Sequence, residues 1–156
     1  MSYHFGSREG LLLELLARRG GPIDDRRGVE RSALDAAPTV RELVSCLVVP
    51  YGEMLATAEG RSYLRIVAQL RGRFAAWRVE SDSATTKHLA RILDEIEARP
   101  NLAEALRRER IVALIMVITA TTAERARRLD GDAPVELSHD EFVANLIDMC
   151  TALVAA

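Results

Sequence analysis

The chain has 156 residues, 49% hydrophobic and 4% aromatic, with a formal net charge of −2. That size and apolar content are enough for one domain with a real core, and the abundance of Ala, Leu, Arg and Glu favours helices over sheets. The charge balance excludes the broad basic excess of many complete nucleic-acid binders. No stretch is apolar for the ~18 residues a membrane span needs, and no basic-then-apolar leader opens the chain.

Residues 1–13 read as the end of one helix, a break at Gly6 and the start of another. Ser7 is a good N-cap and Glu9 suits the positive end of the new helix. This helix is expected from about Ser7 to Arg19, stopped by Gly20-Gly21-Pro22. Residues 20–38 read as a polar loop with a short helix near Val29–Leu34, and Asp24-Asp25-Arg26-Arg27 as a solvated charge cluster. A second helix begins at Thr39, with capping-box spacing to Glu42. Val40, Leu43, Val44, Leu47, Val48, Tyr51, Met54 and Leu55 form its apolar stripe. Pro50 removes a backbone donor and Gly52 weakens the same turn, so a kink is expected there.

A third helix is expected over about Arg61–Arg71, with Tyr63, Ile66, Val67 and Leu70 on one side and Phe74 and Trp77 continuing the spacing. Ser81-Asp82-Ser83 punctuates the chain. The next helix, about Ala84–Arg99, carries Leu89, Ile92, Leu93 and Ile96 and ends at Pro100. Asn101 and Glu104 have capping-box spacing for a helix reaching about Leu129. Its middle, Ile111–Ile118, is apolar on every face and should be buried on most sides. Ser138 and Glu141 cap a last helix, His139–Ala155, with two adjacent stripes: Phe142, Leu146, Met149 and Leu153, then Val143, Ile147, Cys150 and Val154. Two stripes fit either a second copy of the chain or deeper burial within one subunit.

No catalytic constellation stands out, so no enzyme is expected. Asp94, Glu95 and Glu97 share a charged helix face without a cleft. His4, His88 and His139 lack metal-ligand spacing, and no serine sits in a nucleophile-elbow context. Neither a metal nor a cofactor is called for. Cys46 and Cys150, without CxxC spacing, read as buried thiols of a reduced, cytoplasmic protein. Thr119, Thr121 and Thr122 lie on an apolar helix, where hydroxyls either bond back to the preceding turn or point into a pocket.

The string Ser2-Tyr3-His4-Phe5-Gly6-Ser7-Arg8-Glu9-Gly10-Leu11-Leu12 resembles the junction after the recognition helix in bacterial transcriptional regulators of the tetracycline-repressor (TetR) type. In that family an aromatic-His-Phe triplet ends the DNA-reading helix, and a Ser-Lys/Arg-Glu step opens the helix into the regulatory domain. The resemblance implies an all-α fold of about six helices. Residues 1–6 would be a remnant of the helix-turn-helix unit, and residues 7–156 the effector-binding and dimerisation domain. Tyr3, His4 and Arg8 would touch DNA phosphates, and Phe5 would pack within the DNA-reading unit. The helices that support a recognition helix do not precede this string, so operator DNA is an expected partner only when they are present. A start read too far downstream, an excised regulatory portion and a natural short form are the competing origins. The alternative function is a standalone helical dimerisation module, or a dominant-negative partner of a full-length regulator.

The family further implies a homodimer through the last two helices and a small effector held among the central ones. Val112, Met116, Ala123, Val143, Leu146, Ile147, Cys150 and Val154 are the expected dimer contacts. Tyr51, Met54, Tyr63, Val67, Leu70, Phe74, Trp77, Met116 and Thr119 are the expected pocket lining, each of which fits a plain core position as well. No charged residue interrupts these stripes, which points to a neutral or lipophilic effector.

Overall fold

The computed structural model describes residues 8–73 and 83–155. Six α-helices, and no strand, occur among them: α1 (Arg8–Ser32), α2 (Val40–Met54), α3 (Ala58–Arg73), α4 (Ser83–Glu97), α5 (Glu104–Asp130) and α6 (His139–Ala155). None of them is long and apolar enough to cross a membrane.

Helix α2 is the centre of the bundle and packs against all five other helices. Its sequence explains the position. Leu43, Val44, Cys46, Leu47, Val48, Pro50, Tyr51 and Gly52 are all buried and cover most of its circumference. Its start is fixed locally. The Thr39 hydroxyl accepts from the Glu42 amide at 3.1 Å, and the Glu42 carboxylate accepts from the Thr39 amide at 2.7 Å, which satisfies two donors that a helix N-terminus leaves open. Helix α6 starts the same way, with Ser138 and Glu141 bonded reciprocally at 3.2 and 2.8 Å.

Three expected boundaries move. The first helix does not stop at Gly20-Gly21-Pro22; α1 runs through them for 25 residues. Among its described side chains, Leu16, Gly20, Ile23, Asp24, Arg27 and Gly28 are buried, at the three- and four-residue spacing of one helix face. The burial of that face against α2 and α4 outweighs the local cost of the glycines and of Pro22. Helix α3 starts three residues before Arg61. The Thr57 hydroxyl accepts from the Gly60 amide at 3.0 Å, and a Cβ at Gly60 would lie 2.0 Å from the Met54 carbonyl oxygen. Helix α5 starts at Glu104 behind Ala103, without a side-chain cap, so the Asn101–Glu104 capping box does not form.

The Asp24-Asp25-Arg26-Arg27 cluster is only partly solvated: Asp25 is exposed and Arg26 half-buried, while Asp24 and Arg27 are buried. Arg31 forks onto the Glu95 carboxylate of α4 through Nε and Nη2, both at 3.1 Å. Arg26 reaches Glu53 of α2 at 2.8 Å, and Arg19 reaches Glu59 of α3 at 3.0 Å. At the far end of the bundle, Asp130 receives Arg61 at 2.6 Å and Arg65 at 2.7 Å, tying α5 to α3.

The Arg61 hydrogen bond is the main cause holding the Asp130 carboxyl below its ordinary range, and bonds from Ser138, first from its amide, do the same for Glu141. A carboxylate whose pKa is lowered by folding contributes stability above its unfolded pKa and loses it as pH falls through the folded value. Asp130→Asn should therefore lower Tm at neutral pH, and the gap from the unmodified chain should close as the pH drops below the ordinary carboxylate range. Calorimetry across pH checks this; a gap that does not change with pH contradicts it.

Cys46 and Cys150 are both free and buried, and burial pushes each thiol up to about 11. Neither should react with an aromatic disulfide reagent at pH 8 until denaturant unfolds the chain. Fast labelling of the folded protein would contradict that burial.

Candidate functional site

The most chemically loaded point in the interior lies where α1, α2, α4 and α5 meet. Asp24 and Arg27 form an ion pair one turn apart on α1, Oδ1 to Nη1 at 3.1 Å, with side-chain exposures of 2% and 6%. The Asp24 carboxylate also accepts the backbone amides of His88 and Leu89 in α4, both at 2.9 Å. These amides lie in the second turn of α4, and the two charge-assisted bonds hold the carboxylate there. Arg27 lies over the Tyr51 ring of α2, with Cζ 5.3 Å from the ring centroid. Its Nη1 is used by Asp24, but its buried Nε has no hydrogen-bond partner.

Close approach of α1 and α4 makes this cluster possible. A Cβ at Gly28 would lie 2.7 Å from the imidazole of His88. A larger residue at position 28 would require the His88 ring to swing away.

A cavity of about 20 Å³ opens beside the cluster, lined by Arg27, Leu47, Tyr51, Leu89, Ile115, Ile118 and Thr119. Of the nine residues expected in a pocket, it brings together Tyr51 and Thr119. The Thr119 hydroxyl donates to the Ile115 carbonyl at 2.9 Å, so it offers the cavity only lone pairs. Thr122 bonds back to Ile118 in the same way, at 2.8 Å.

The remaining expected lining falls elsewhere. Tyr63, Val67 and Leu70 are buried core residues on the face that α3 packs against its neighbours, chiefly α5. Met54 belongs to a separate groove of about 270 Å³ between α1 and α2, where Pro22 and Pro50 also lie with Arg18, Arg26 and Glu53. Met116 is 57% exposed: Ile115 turns into the cavity and its neighbour turns out. Phe74 and Trp77 lie outside the described residues, as do Tyr3, His4 and Phe5. Arg8 opens α1.

The expected dimer contacts divide in two. Leu146, Ile147, Cys150 and Val154 are buried within the subunit, because α6 packs on both α2 and α5. Most of the double stripe of α6 is therefore covered by the chain's own helices, and these four do not face outward, while Met149 of the first stripe stays exposed. Val112 is 50% exposed and Met116 lies one turn further along α5, so the middle of this helix, expected to be buried on most sides, leaves one face open; Met149 of α6 is 44% exposed. Val143 and Ala123 are half-buried.

A further groove, about 530 Å³, lies between the carboxyl-terminal half of α5 and the α5–α6 connection, with Arg125, Val135, Leu137 and Phe142 among its walls. Arg125 is stacked on the Phe142 ring at 4.9 Å and donates to the Leu137 carbonyl at 2.8 Å.

Sequence reasoning missed Asp24, Arg27, Ile115 and Ile118 as parts of one site. For α1 a signal existed: positions 16, 20, 23, 24, 27 and 28 follow helical spacing once the glycines are counted as small face residues rather than breakers. Comparison with known proteins adds no identification: no family model, curated protein or solved structure matches the chain.

Breaking a buried ion pair by removing one partner leaves an uncompensated charge, which costs about 3–5 kcal/mol. Arg27→Met and Asp24→Ala should each destabilise the fold by that order, and the double variant should lose much less than their sum. Chemical denaturation of all three checks this; additive losses would mean that the two residues act independently.

Proposed function

We propose that this chain is the effector-binding and dimerisation portion of a TetR-type transcriptional regulator, and that it works by binding rather than by catalysis. The observation that carries the reading is the continuity of α1. The helix begins at Arg8, inside the segment that resembles the family's recognition-helix junction, and continues without a break to Arg27 in the buried cluster. At 1.5 Å per residue its 25 residues span about 37 Å. A rigid helix of that length can carry a displacement at the cavity to whatever precedes residue 8, which an interposed loop over residues 20–38 would not do.

The outer face of α5 and α6 supports the dimerisation half of the reading. Val112, Met116 and Met149 are large apolar side chains left exposed on the two helices through which the family pairs. A stable interface buries roughly 1,200–2,000 Å² in total, and helices of 27 and 17 residues offer the length for it. The same face favours the second reading, a standalone dimerisation module that pairs with a full-length regulator.

Sedimentation and DNA binding test the proposal. The chain should sediment as a dimer at micromolar concentration, and Val112→Arg with Met116→Arg should give a folded monomer. Specific operator binding should be absent from the 156-residue chain and should appear once a helix-turn-helix unit of this type is joined to its amino terminus. Arg8→Ala in that longer protein should weaken binding to all sequences alike, as loss of a phosphate contact does. A clean monomer, or an extended protein that ignores DNA, would overturn the corresponding half.

A further inference from the structure

We propose that Nε of Arg27 is the polar anchor of the cavity between α1, α2, α4 and α5, and that this cavity takes an uncharged, largely hydrocarbon molecule presenting one carbonyl oxygen. The inference deepens the effector-binding reading above and rests on it.

Arg27 is 5% exposed, its Nη1 is held by Asp24 at 3.1 Å, and its buried Nε has no side-chain or backbone partner. A buried donor without an acceptor is unfavourable, more so on a charged group, so an acceptor oxygen brought to Nε is stabilised there. The surrounding walls are hydrocarbon and aromatic: Leu47, Tyr51, Leu89, Ile115 and Ile118. The Thr119 hydroxyl proton is committed to the Ile115 carbonyl, which leaves Arg27 and the Tyr51 phenol as the lining residues with side-chain donors.

Charge decides which acceptor fits. Asp24 and Arg27 sum to zero, and the Asp24 carboxylate is already held by Arg27 and by two amides of α4. A ligand carboxylate would add a negative charge to this interior with no cation left to neutralise it, a costly burial. A ketone, ester or amide carbonyl supplies the same lone pairs without charge. Size agrees with this polar end. At about 20 Å³ the cavity passes the ~10–15 Å³ needed by one water-sized group, and Nε of Arg27, itself fully buried, comes within reach of an acceptor when the walls part. The hydrocarbon body must part Leu89 of α4 from Ile115 of α5. Because Asp24 holds α4 to α1, that widening bears directly on α1.

The test uses the full chain with 2-hexanone, hexanoate and n-hexane as probes. Binding is read by Tm and by the ¹H–¹⁵N resonance of the Arg27 Nε–H. Arg27→Lys keeps a cation beside Asp24 but removes Nε. The ketone should raise Tm saturably and shift the Arg27 resonance. It should bind at least about tenfold more tightly than either other probe, and at least about tenfold more weakly to Arg27→Lys. If that variant does not fold, the resonance of the unmodified chain decides: a shift with 2-hexanone and none with n-hexane supports the anchor. Tighter binding of hexanoate, or ketone binding unaffected by Arg27→Lys, would overturn the carbonyl assignment and leave a ligand cavity in place. Failure of every probe to bind would overturn the inference itself; the regulator reading would still stand or fall on the dimer and operator measurements.

Discussion

The ion pair between Asp24 and Arg27 is the constraint on which the rest of the structure depends. Both side chains are almost completely buried, and burying charge is favourable only when each group is paired and bonded. Asp24 meets that demand by binding its own helix through Arg27 and a second helix through two amides. The rotation of α1 about its axis is thereby fixed, because one residue of slip would swing the carboxylate away from α4. Such pairs are seldom large net sources of stability against an apolar substitute; what they supply is a penalty on every other packing. Gly28 completes the arrangement by letting the His88 ring lie against the α1 backbone.

From this pair the bundle organises outward. Helix α2, covered by all five others, supplies the hydrophobic mass and presents Tyr51 to Arg27. Helix α5 has two roles on adjoining faces. Ile115, Ile118 and Thr119 close the cavity, while Val112 and Met116 stand in solvent. A shift of α5 at the cavity would therefore be felt on the outer face, and a shift of α4 would be felt along α1. The cavity sits where both connections begin, and this gives the proposed coupling of effector, dimer and DNA-reading segment a physical route.

The surface ion pairs act differently. Arg31 with Glu95, Arg26 with Glu53, and Asp130 with Arg61 and Arg65 each join two helices at the margin of the core. The exposed Arg26–Glu53 pair contributes little by itself, and the others are largely shielded. Their value here is positional, since they align helices whose buried faces already match.

What the sequence determined by itself was whatever is decided within one or two turns. Thr39 with Glu42 and Ser138 with Glu141 are three residues apart, so the capping bonds could be read before any tertiary contact was known. The stripes of α2, α4 and α6, the burial of Cys46 and Cys150, and the all-helical class were legible for the same reason: helical periodicity is a local signal. Where several helices had to meet, the sequence was silent or misleading. Gly20, Gly21 and Pro22 carry a local cost of about 1 kcal/mol per glycine and 3 for proline, and local weighing ends the helix there. Tertiary burial of Leu16, Ile23 and the Asp24–Arg27 pair against α2 and α4 outweighs that cost. The two stripes of α6 gave no sign of whether a second molecule or the same one would cover them; packing on α2 and α5 covers Phe142, Leu146, Ile147, Cys150 and Val154 within the subunit and leaves Met149 exposed. The cavity was hidden because its walls come from four helices and its anchor from a segment that looked like a solvated loop; only the tertiary fold, by burying a charge pair and leaving one donor unpaired, made it a site.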